Sequence, residues 1–333
     1  MIETDICIIG AGPVGLFAVF EAGLLKMRCH LVDYLPQPGG QLSEIYPKKP
    51  IYDIPGFPTV DAQELVDNLM EQAKPFQPTF TLGERIEQIQ KLEDESFELT
   101  THLDTKIHAK IICIAGGLGV FEPRKPAIEN LANYEKNGVE YMVLDPEKFR
   151  DKKIVIAGGG DSALDWTMFL ADVAAELTMV HRGEMFRGAP DSVDKVKQLA
   201  ADGKIKMELN ANITHLHGDA KLEQVTITNN DGVAKQIDAD HYLALFGLSP
   251  KLGPIANWGL NIEKNAILVD TKDYSTNIKG IYAIGDINTY EGKLKLILCG
   301  FHEAAIMCHS AAELISGKKP SLKYTTVNGV NAF

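Results

Sequence analysis

Two glycine-rich turns lie far apart in the chain, and each has a spacing that lets the backbone wrap around a diphosphate. The first comprises Gly10, Gly12 and Gly15, in the pattern G-x-G-x-x-G between an apolar run and a helical segment. In such a pattern the first glycine permits a tight turn, the second admits a pyrophosphate, and the third lets the helix pack on the strand. The helix N-terminus adds partial positive charge. The pattern therefore predicts a dinucleotide-binding turn.

Two aspartates accompany this first turn. Asp33 ends the second predicted strand, where a carboxylate can accept hydrogen bonds from both hydroxyls of an adenosine ribose. Asp286 follows the apolar run "GIYAIG", and an acid there can bind the ribityl hydroxyls of an extended flavin. The alternatives are a solvated strand end for Asp33 and a helix N-cap for Asp286. Together the two positions favour FAD as the ligand of the first turn.

The second turn repeats the plan in the middle of the chain. In "IAGGGDSALD", Gly158, Gly160 and Ala163 give the pattern G-x-G-x-x-A, after a predicted strand and before a helix that opens with Asp161. This arrangement again predicts a diphosphate-binding turn. A chain with two such turns is expected to bind two dinucleotides.

The charge beside the second turn is the reverse of that beside the first. The position that corresponds to Asp33 is His181, which is followed by Arg182 and, on the next loop, by Arg187. A carboxylate there would repel a 2′-phosphate, whereas an arginine pairs with it through two hydrogen bonds. The alternatives are a solvated basic loop for the arginines and a polar strand cap for His181. We therefore predict NADPH at the second turn, with a hydride passing between the two cofactors.

Composition restricts the remaining functions. The length of 333 residues accommodates two domains, and the net charge of −12 argues against nucleic acid as a partner. No apolar stretch reaches the roughly 20 residues of a membrane-spanning helix, and the chain starts with an acidic rather than a basic segment. The five cysteines include no C-x-x-C pair, so no metal site is predicted. These features predict a cytoplasmic protein without a membrane partner.

The predicted elements form two strand–turn–helix–strand units. The chain crosses from one unit to the other at 116–126 and again at 246–254, and a strand at 280–286 followed by a long apolar helix completes the first unit. The prediction is an α/β fold with two Rossmann-like (three-layer ββα) dinucleotide-binding domains, the second inserted in the first. The FAD-binding domain is expected at 1–117 and 280–333, and the NADP(H)-binding domain at 118–279.

The whole chain resembles the thioredoxin-reductase-like flavoproteins, and within them the ferredoxin/flavodoxin–NADP⁺ reductases of the thioredoxin-reductase-like type (type 2). The narrower motifs are "IYPKKPIYDIPGFP" and "GLSPKLGPIANWGL", joined by the shared "TNIKGIYAIGD". Thioredoxin reductases carry C-x-x-C just before the second glycine turn, but "EYMVLDPEKFRDKK" at 140–153 contains no cysteine. A thiol–disulfide relay is therefore not available to this chain.

The resemblance also implies which residues contact the flavin. The N-terminus of the helix near Leu298 is expected to point at the flavin pyrimidine. Tyr52 is a candidate for stacking on the ring, with a core aromatic as the alternative. A short C-terminal extension would cover the other face through Tyr324, Thr325 or Phe333. The implied FAD contacts are Asp33, Gln41, Tyr46, Ile86, Phe121, Asp286 and Thr326. Relatives commonly have a second arginine where this chain has Gly183, which weakens the predicted preference for NADPH.

The implied activity is that of a homodimeric flavoenzyme. NADPH delivers a hydride to flavin N5, and electrons then pass singly to ferredoxin or flavodoxin, or in reverse, without a side-chain acid or base. Basic docking residues are proposed at Lys48, Lys49, Lys293 and Lys295, with solubilising surface lysines as the alternative. An NADPH diaphorase or quinone reductase and a non-catalytic nicotinamide-redox sensor remain the alternative functions.

Overall fold

The computed structural model describes residues 1–135 and 137–321. The predictions on Thr326 and on the C-terminal cover by Tyr324, Thr325 or Phe333 lie outside the described residues, as does the side chain of Phe121. The chain divides into two compact units. The first runs to Val120 and resumes at Pro250, and the second is Phe121–Ser249.

The first unit contains most of the regular structure. Its helices are α1 (Pro13–Leu24), α2 (Gln41–Ile45), α3 (Ala62–Ala73) and α6 (Ile297–Ser316). Its strands before the second unit are β1 (Ile2–Ile9), β2 (Cys29–Asp33), β3 (Pro50–Ile51), β4 (Val60–Asp61), β5 (Thr79–Leu82), β6 (Ile86–Lys91), β7 (Phe97–Thr101) and β8 (Lys106–Ile114). Those after it are β19 (Ile262–Glu263), β20 (Ala266–Leu268), β21 (Ile281–Ala283) and β22 (Asn288–Thr289).

The main sheet of the first unit has the order β5-β2-β1-β8-β7-β6, with β21 beside the end of β8. Strands β5, β2, β1, β8 and β21 pair in parallel, and the hairpin of β6 and β7 continues the sheet antiparallel. Ile9 aligns with Val32 and with Ile114, and Ile114 aligns with Ala283. The ends of β1, β2 and β21 therefore meet at one edge, which is where ligands bind in such sheets.

Both faces of this sheet are buried, which explains the continuous apolar runs in its strands. In β1, Ile6 and Ile8 belong to one apolar cluster with residues of α1, α3 and α6, whereas Cys7 belongs to a second cluster on the opposite face. This separation follows from the alternation of side chains along a strand. Within the described ranges, no helix combines the length and the apolar character that crossing a bilayer requires.

The second unit is built on its own parallel sheet, ordered β10-β17-β11-β12-β13, together with a smaller antiparallel sheet, β14-β15-β16. Its helices are α4 (Asp161–Leu170) and α5 (Pro190–Ala201). Its strands are β10 (Val139–Glu140), β11 (Lys153–Gly158), β12 (Glu176–His181), β13 (Lys206–Leu209), β14 (Ala211–His217), β15 (Gln224–Asn229), β16 (Ala234–Asp238) and β17 (His241–Leu245). The unit boundaries fall within β9 (Val120–Pro123) and β18 (Leu248–Lys251).

The second boundary differs from the predicted position at 280. Residues 250–279 belong to the first compact unit. Leu252, Ile255 and Leu260 are buried in the same cluster as Ile107 and Ile281 of the main sheet. The apolar contacts of this segment therefore lie with the first unit, although it follows the crossing at 246–254 directly in sequence.

Candidate functional site

The first glycine turn is fixed by close backbone packing. Gly10 has φ +113°, and a Cβ built on it would lie 2.4 Å from the carbonyl oxygen of Ala115. A Cβ on Gly15 would lie 2.1 Å from the oxygen of Gly10. Gly12 precedes α1 in extended conformation, and no described side chain caps the helix. The N–H groups of the first turn of α1 are therefore suited to an anionic ligand.

Asp33 ties the end of β2 to this turn. Its Oδ2 accepts a hydrogen bond from the N–H of Ala11 at 2.6 Å, and its Oδ1 accepts one from the N–H of Leu35 at 2.9 Å. Burial raises the pKa of the Asp33 carboxyl, and these two hydrogen bonds oppose the rise. Each carboxylate oxygen has a second lone pair, so the group can hold the turn and still accept a ribose hydroxyl.

The Gly-Gly-Gln loop lies against the same turn. Gly39 donates its N–H to the oxygen of Ala11 at 2.8 Å, and a Cβ on Gly40 would lie 3.1 Å from the Cα of Gly12. Gln41 starts α2 directly after this contact, and its Nε2 would lie 3.2 Å from a Cβ on Gly117. The structure therefore brings the predicted Gln41 next to the first glycine turn.

Tyr46 and Asp286 are close enough to interact electrostatically. Burial and, secondarily, the charge of Asp286 raise the pKa of Tyr46 to about 12. Burial also raises the pKa of Asp286, which Lys295 and Lys293 lower in part. Both side chains are half-buried. These two predicted site residues therefore share one region of the first unit.

Two other predicted flavin contacts have contrasting environments. Ile86 is buried in the core at the start of β6, two residues after Glu84, whose N–H donates to the oxygen of Asp33 at 3.0 Å. Tyr52 is 71 % exposed, so it is not a core aromatic. Its ring is accessible for stacking, and that role stays a prediction.

The first turns of α1 and α6 converge near Asp286. A Cβ on Gly300, in the first turn of α6, would lie 2.4 Å from Cγ2 of Val14 in α1 and 3.4 Å from the Cα of Gly285. Neither helix has a side-chain N-cap among the described residues. Two partially positive helix ends thus lie near the turn that carries Asp286.

The sequence analysis did not predict a buried charged cluster next to the turn that carries Asp286. Glu303 of α6 is fully buried and accepts hydrogen bonds from the N–H of Gly285 (2.7 Å), Nδ2 of Asn288 (2.9 Å) and the hydroxyl of Tyr290 (2.9 Å). It also pairs with Lys293, whose side chain is 5 % exposed. The prediction that Lys293 docks a partner is therefore wrong, because its ammonium is occupied inside the protein. An acid within the apolar run "LILCGFHEAA" was the available signal.

The residues at this edge of the sheet fit an FAD. The uncapped α1 suits a diphosphate, and the carboxylates of Asp33 and Asp286 suit ribose and ribityl hydroxyls. In addition, Oδ1 of Asn288 is buried without a hydrogen-bond partner among the described residues. A buried acceptor of this kind is normally satisfied by a donor that the protein itself does not supply here.

In the second unit, His181 supports the glycine turn from inside. A Cβ on Gly159 would lie 2.1 Å from Cε1 of His181, which is 8 % exposed. Its Nε2 lies 3.1 Å from the oxygen of Met185 and therefore carries the proton, because a carbonyl only accepts. The ring stacks on Phe186 with centroids 4.6 Å apart. These contacts match a polar strand cap; a direct contact with the cofactor stays a prediction.

The loop after β12 carries the two arginines to the turn. The N–H of Arg187 donates to the oxygen of Gly159 at 2.7 Å, and the N–H of Ala189 donates to Oδ1 of Asp161 at 2.8 Å. Arg182 and Arg187 are exposed, and neither guanidinium has a hydrogen-bond or ion-pair partner within the described residues. Asp161 thus fixes a loop that presents two available cations beside Gly158 and Gly160.

The cysteines do not form a redox pair. All five are free thiols, and only Cys299 is partly exposed. Burial raises the pKa of the other four, Cys7, Cys29, Cys113 and Cys308. A raised pKa disfavours the reactive thiolate. The described cysteines therefore offer no sulfur relay at either turn.

Comparison with known proteins agrees with this architecture. Residues 4–304 match the model of the pyridine nucleotide-disulphide oxidoreductase family. A ferredoxin–NADP reductase of Christiangramia forsetii is 66 % identical over 100 % of this chain and 96 % of its own length. A ferredoxin–NADP reductase of Flavobacterium johnsoniae is 63 % identical over 100 % of this chain and 95 % of its own length. Among solved structures, thioredoxin reductase of Lactococcus lactis matches with TM-score 0.78 at 26 % identity, covering 95 % of this chain and 100 % of that one.

The fold and the paired glycine turns define a two-dinucleotide-binding oxidoreductase. The chain belongs to the pyridine nucleotide-disulphide oxidoreductase family, in the branch of the ferredoxin–NADP reductases of thioredoxin-reductase-like type. The resemblance read from its motifs is therefore confirmed, as is the predicted α/β fold.

Proposed function

We propose that the chain is an FAD-dependent enzyme that transfers electrons between NADPH and ferredoxin or flavodoxin. The observation that carries the proposal is the pairing of an acidic socket at the first turn, through Asp33, with a basic loop at the second, through Arg182 and Arg187. The relatives that are 66 % and 63 % identical are ferredoxin–NADP reductases, which supports ferredoxin as the acceptor.

In this proposal the first unit holds FAD. When bound, FAD exchanges a hydride with NADPH and single electrons with an iron–sulfur or flavin carrier. The N-terminus of α1 binds its diphosphate, Asp33 accepts ribose hydroxyls, and Asp286 accepts ribityl hydroxyls. Gln41 and Tyr46 line the polar side of the flavin. Tyr52 is exposed and can stack on the flavin ring.

The second unit holds NADPH through the loop after β12. Arg182 and Arg187 pair with the 2′-phosphate, and Asp161 keeps that loop in place through the N–H of Ala189. His181 keeps the turn in shape behind Gly159. Because segment 140–153 contains no cysteine, electrons leave the first unit without a thiol intermediate.

We further propose a homodimer in the cytoplasm. Phe17 of α1 and Phe301 of α6 have ring centroids 4.8 Å apart and remain partly exposed, with Phe20 beside them. Partly exposed aromatics on adjoining helices are typical of protein interfaces. Free cysteines throughout are typical of a reducing compartment. Docking of an acidic carrier is proposed at Lys48, Lys49 and Lys295.

The test is a reductase assay on the purified chain. The protein should be yellow, release FAD on denaturation, and oxidise NADPH faster than NADH. Cytochrome c reduction should accelerate when ferredoxin or flavodoxin is added. Fast reduction of quinones or dyes with no carrier effect would favour a diaphorase, and bound FAD with negligible turnover would favour a redox sensor. Colourless protein that flavin does not reconstitute would refute the proposal.

A further inference from the structure

The carboxylate of Glu303 binds two pairs of donors from the stretch 285–293, and each of its oxygens serves one pair. Oε2 accepts hydrogen bonds from the N–H of Gly285 and from Nδ2 of Asn288, at 2.7 and 2.9 Å. Oε1 accepts from the hydroxyl of Tyr290 at 2.9 Å and pairs with Lys293. The first pair of donors flanks Asp286 in sequence, and the second pair belongs to the following loop.

A buried ion pair of this kind is not explained by packing alone. Glu303 is fully buried in a largely apolar helix, and the desolvation of two charges opposes folding. Apolar residues of similar volume would often give equal or greater stability. The hydrogen bonds of Glu303 to residues on either side of Asp286 indicate what the charges do instead.

We propose that Glu303 is a positioning residue for the flavin site, which holds the Asp286 turn through Oε2 and, with Lys293, sets the local charge through Oε1. The inference rests on the proposed function, since it takes the Asp286 turn as part of the FAD site. It assigns separable effects to the two oxygens. Oε2 governs the affinity for FAD, and the Oε1–Lys293 pair governs the midpoint potential of the bound flavin.

Affinity is tested by comparing Glu303→Ala with Glu303→Gln. Alanine removes the acceptor of both hydrogen bonds from the turn, so the Kd for FAD should rise by about tenfold or more, the equivalent of one hydrogen bond to a charged group. Glutamine retains one oxygen for Gly285 and Asn288, so its Kd should stay close to the wild-type value. Glu291→Gln, which neutralises an exposed acid in the neighbouring loop, is the matched control.

The potential is tested by a dye-equilibrated reductive titration of two charge variants. Glu303→Gln leaves the buried charge of Lys293 unopposed, and a positive charge favours the gain of electrons, so the midpoint potential should become more positive. Lys293→Met leaves Glu303 unopposed, so the potential should become more negative. A purely structural role would not produce shifts of opposite sign.

Shifts of the same sign, or no shift in either variant, would overturn the inference. So would an unchanged Kd for FAD in Glu303→Ala. If the alanine variant does not fold, the signs of the other two shifts decide. Since the wild-type protein is assayed for FAD and for NADPH oxidation in the same series, its success separates a failure of this inference from a failure of the proposed function.

Discussion

The imidazole of His181 packs directly against the backbone of Gly159, at the centre of the second glycine turn. A Cβ added to Gly159 would lie 2.1 Å from the ring, whereas one added to Gly160 would meet nothing within 4 Å. The two neighbouring glycines therefore have different constraints. Packing against His181 requires glycine at position 159, whereas Gly160 leaves room in front of α4 for a ligand.

A pair of alanine substitutions separates these constraints. Gly159→Ala should lower the free energy of unfolding by about 1–3 kcal/mol, because it overpacks the turn against a buried ring. Gly160→Ala should leave stability within about 1 kcal/mol of the wild-type value and raise the KM for NADPH, since the methyl group occupies the approach of the diphosphate. Thermal unfolding and steady-state kinetics measure the two effects. Equal destabilisation by both variants would contradict this account of the turn.

The two arginines should determine the preference for the 2′-phosphate. Changing both Arg182 and Arg187 to Ala should raise the KM for NADPH by about tenfold to a hundredfold, given the strength of charge-assisted hydrogen bonds. The KM for NADH should change little, because NADH lacks that phosphate. Initial-rate kinetics with both nucleotides are the measurement. Arg124→Ala, a basic residue outside this loop, is the control. An equal loss for the two nucleotides would show that the loop does not bind the 2′-phosphate.

Gly183 offers the converse test. A Cβ there would meet nothing within 4 Å, and its φ does not require glycine, so a side chain is sterically tolerated. Gly183→Arg adds a third cation to the loop and should lower the KM for NADPH several-fold, with NADH unaffected. Gly183→Gln, which has a long uncharged side chain, is the control. An unchanged ratio of the two KM values would show that position 183 lies outside the reach of the phosphate.

The sequence predicted those parts of the site that depend on local patterns. Glycine spacing located both turns, and β2 ends at Asp33 as predicted. Helix α4 starts at Asp161 as predicted and ends at Leu170. The end of α4 could not be predicted from helix propensity, because the segment 171–175 that follows it is rich in alanine, which favours helix.

Features that depend on long-range contacts could not be predicted in the same way. The hydrogen-bond partners of Glu303 could not be predicted from its place in an apolar helix. Its donors at Gly285 and Lys293 come from a turn and a loop earlier in the chain. Likewise, Lys293 appeared as an ordinary basic residue in a polar loop. Both ends of the pair are buried by tertiary contacts, which no local sequence pattern records.

The ionised carboxylate of Asp286 should lower the stability of the apoprotein, although it strengthens the binding of FAD. Burial raises the pKa of its carboxyl in the folded state above that in the unfolded chain, so the ionised group opposes folding at neutral pH. The cost is full above the folded-state pKa and disappears as the pH falls below the unfolded value of about 4. Asp286→Asn should therefore raise the Tm of the apoprotein at pH 7, lose that gain near pH 4, and bind FAD more weakly. Thermal unfolding of flavin-free protein at the two pH values, with the exposed Asp53→Asn as control, measures the gain. A gain in Tm that is the same at both pH values would show that the charge of Asp286 is not its cause.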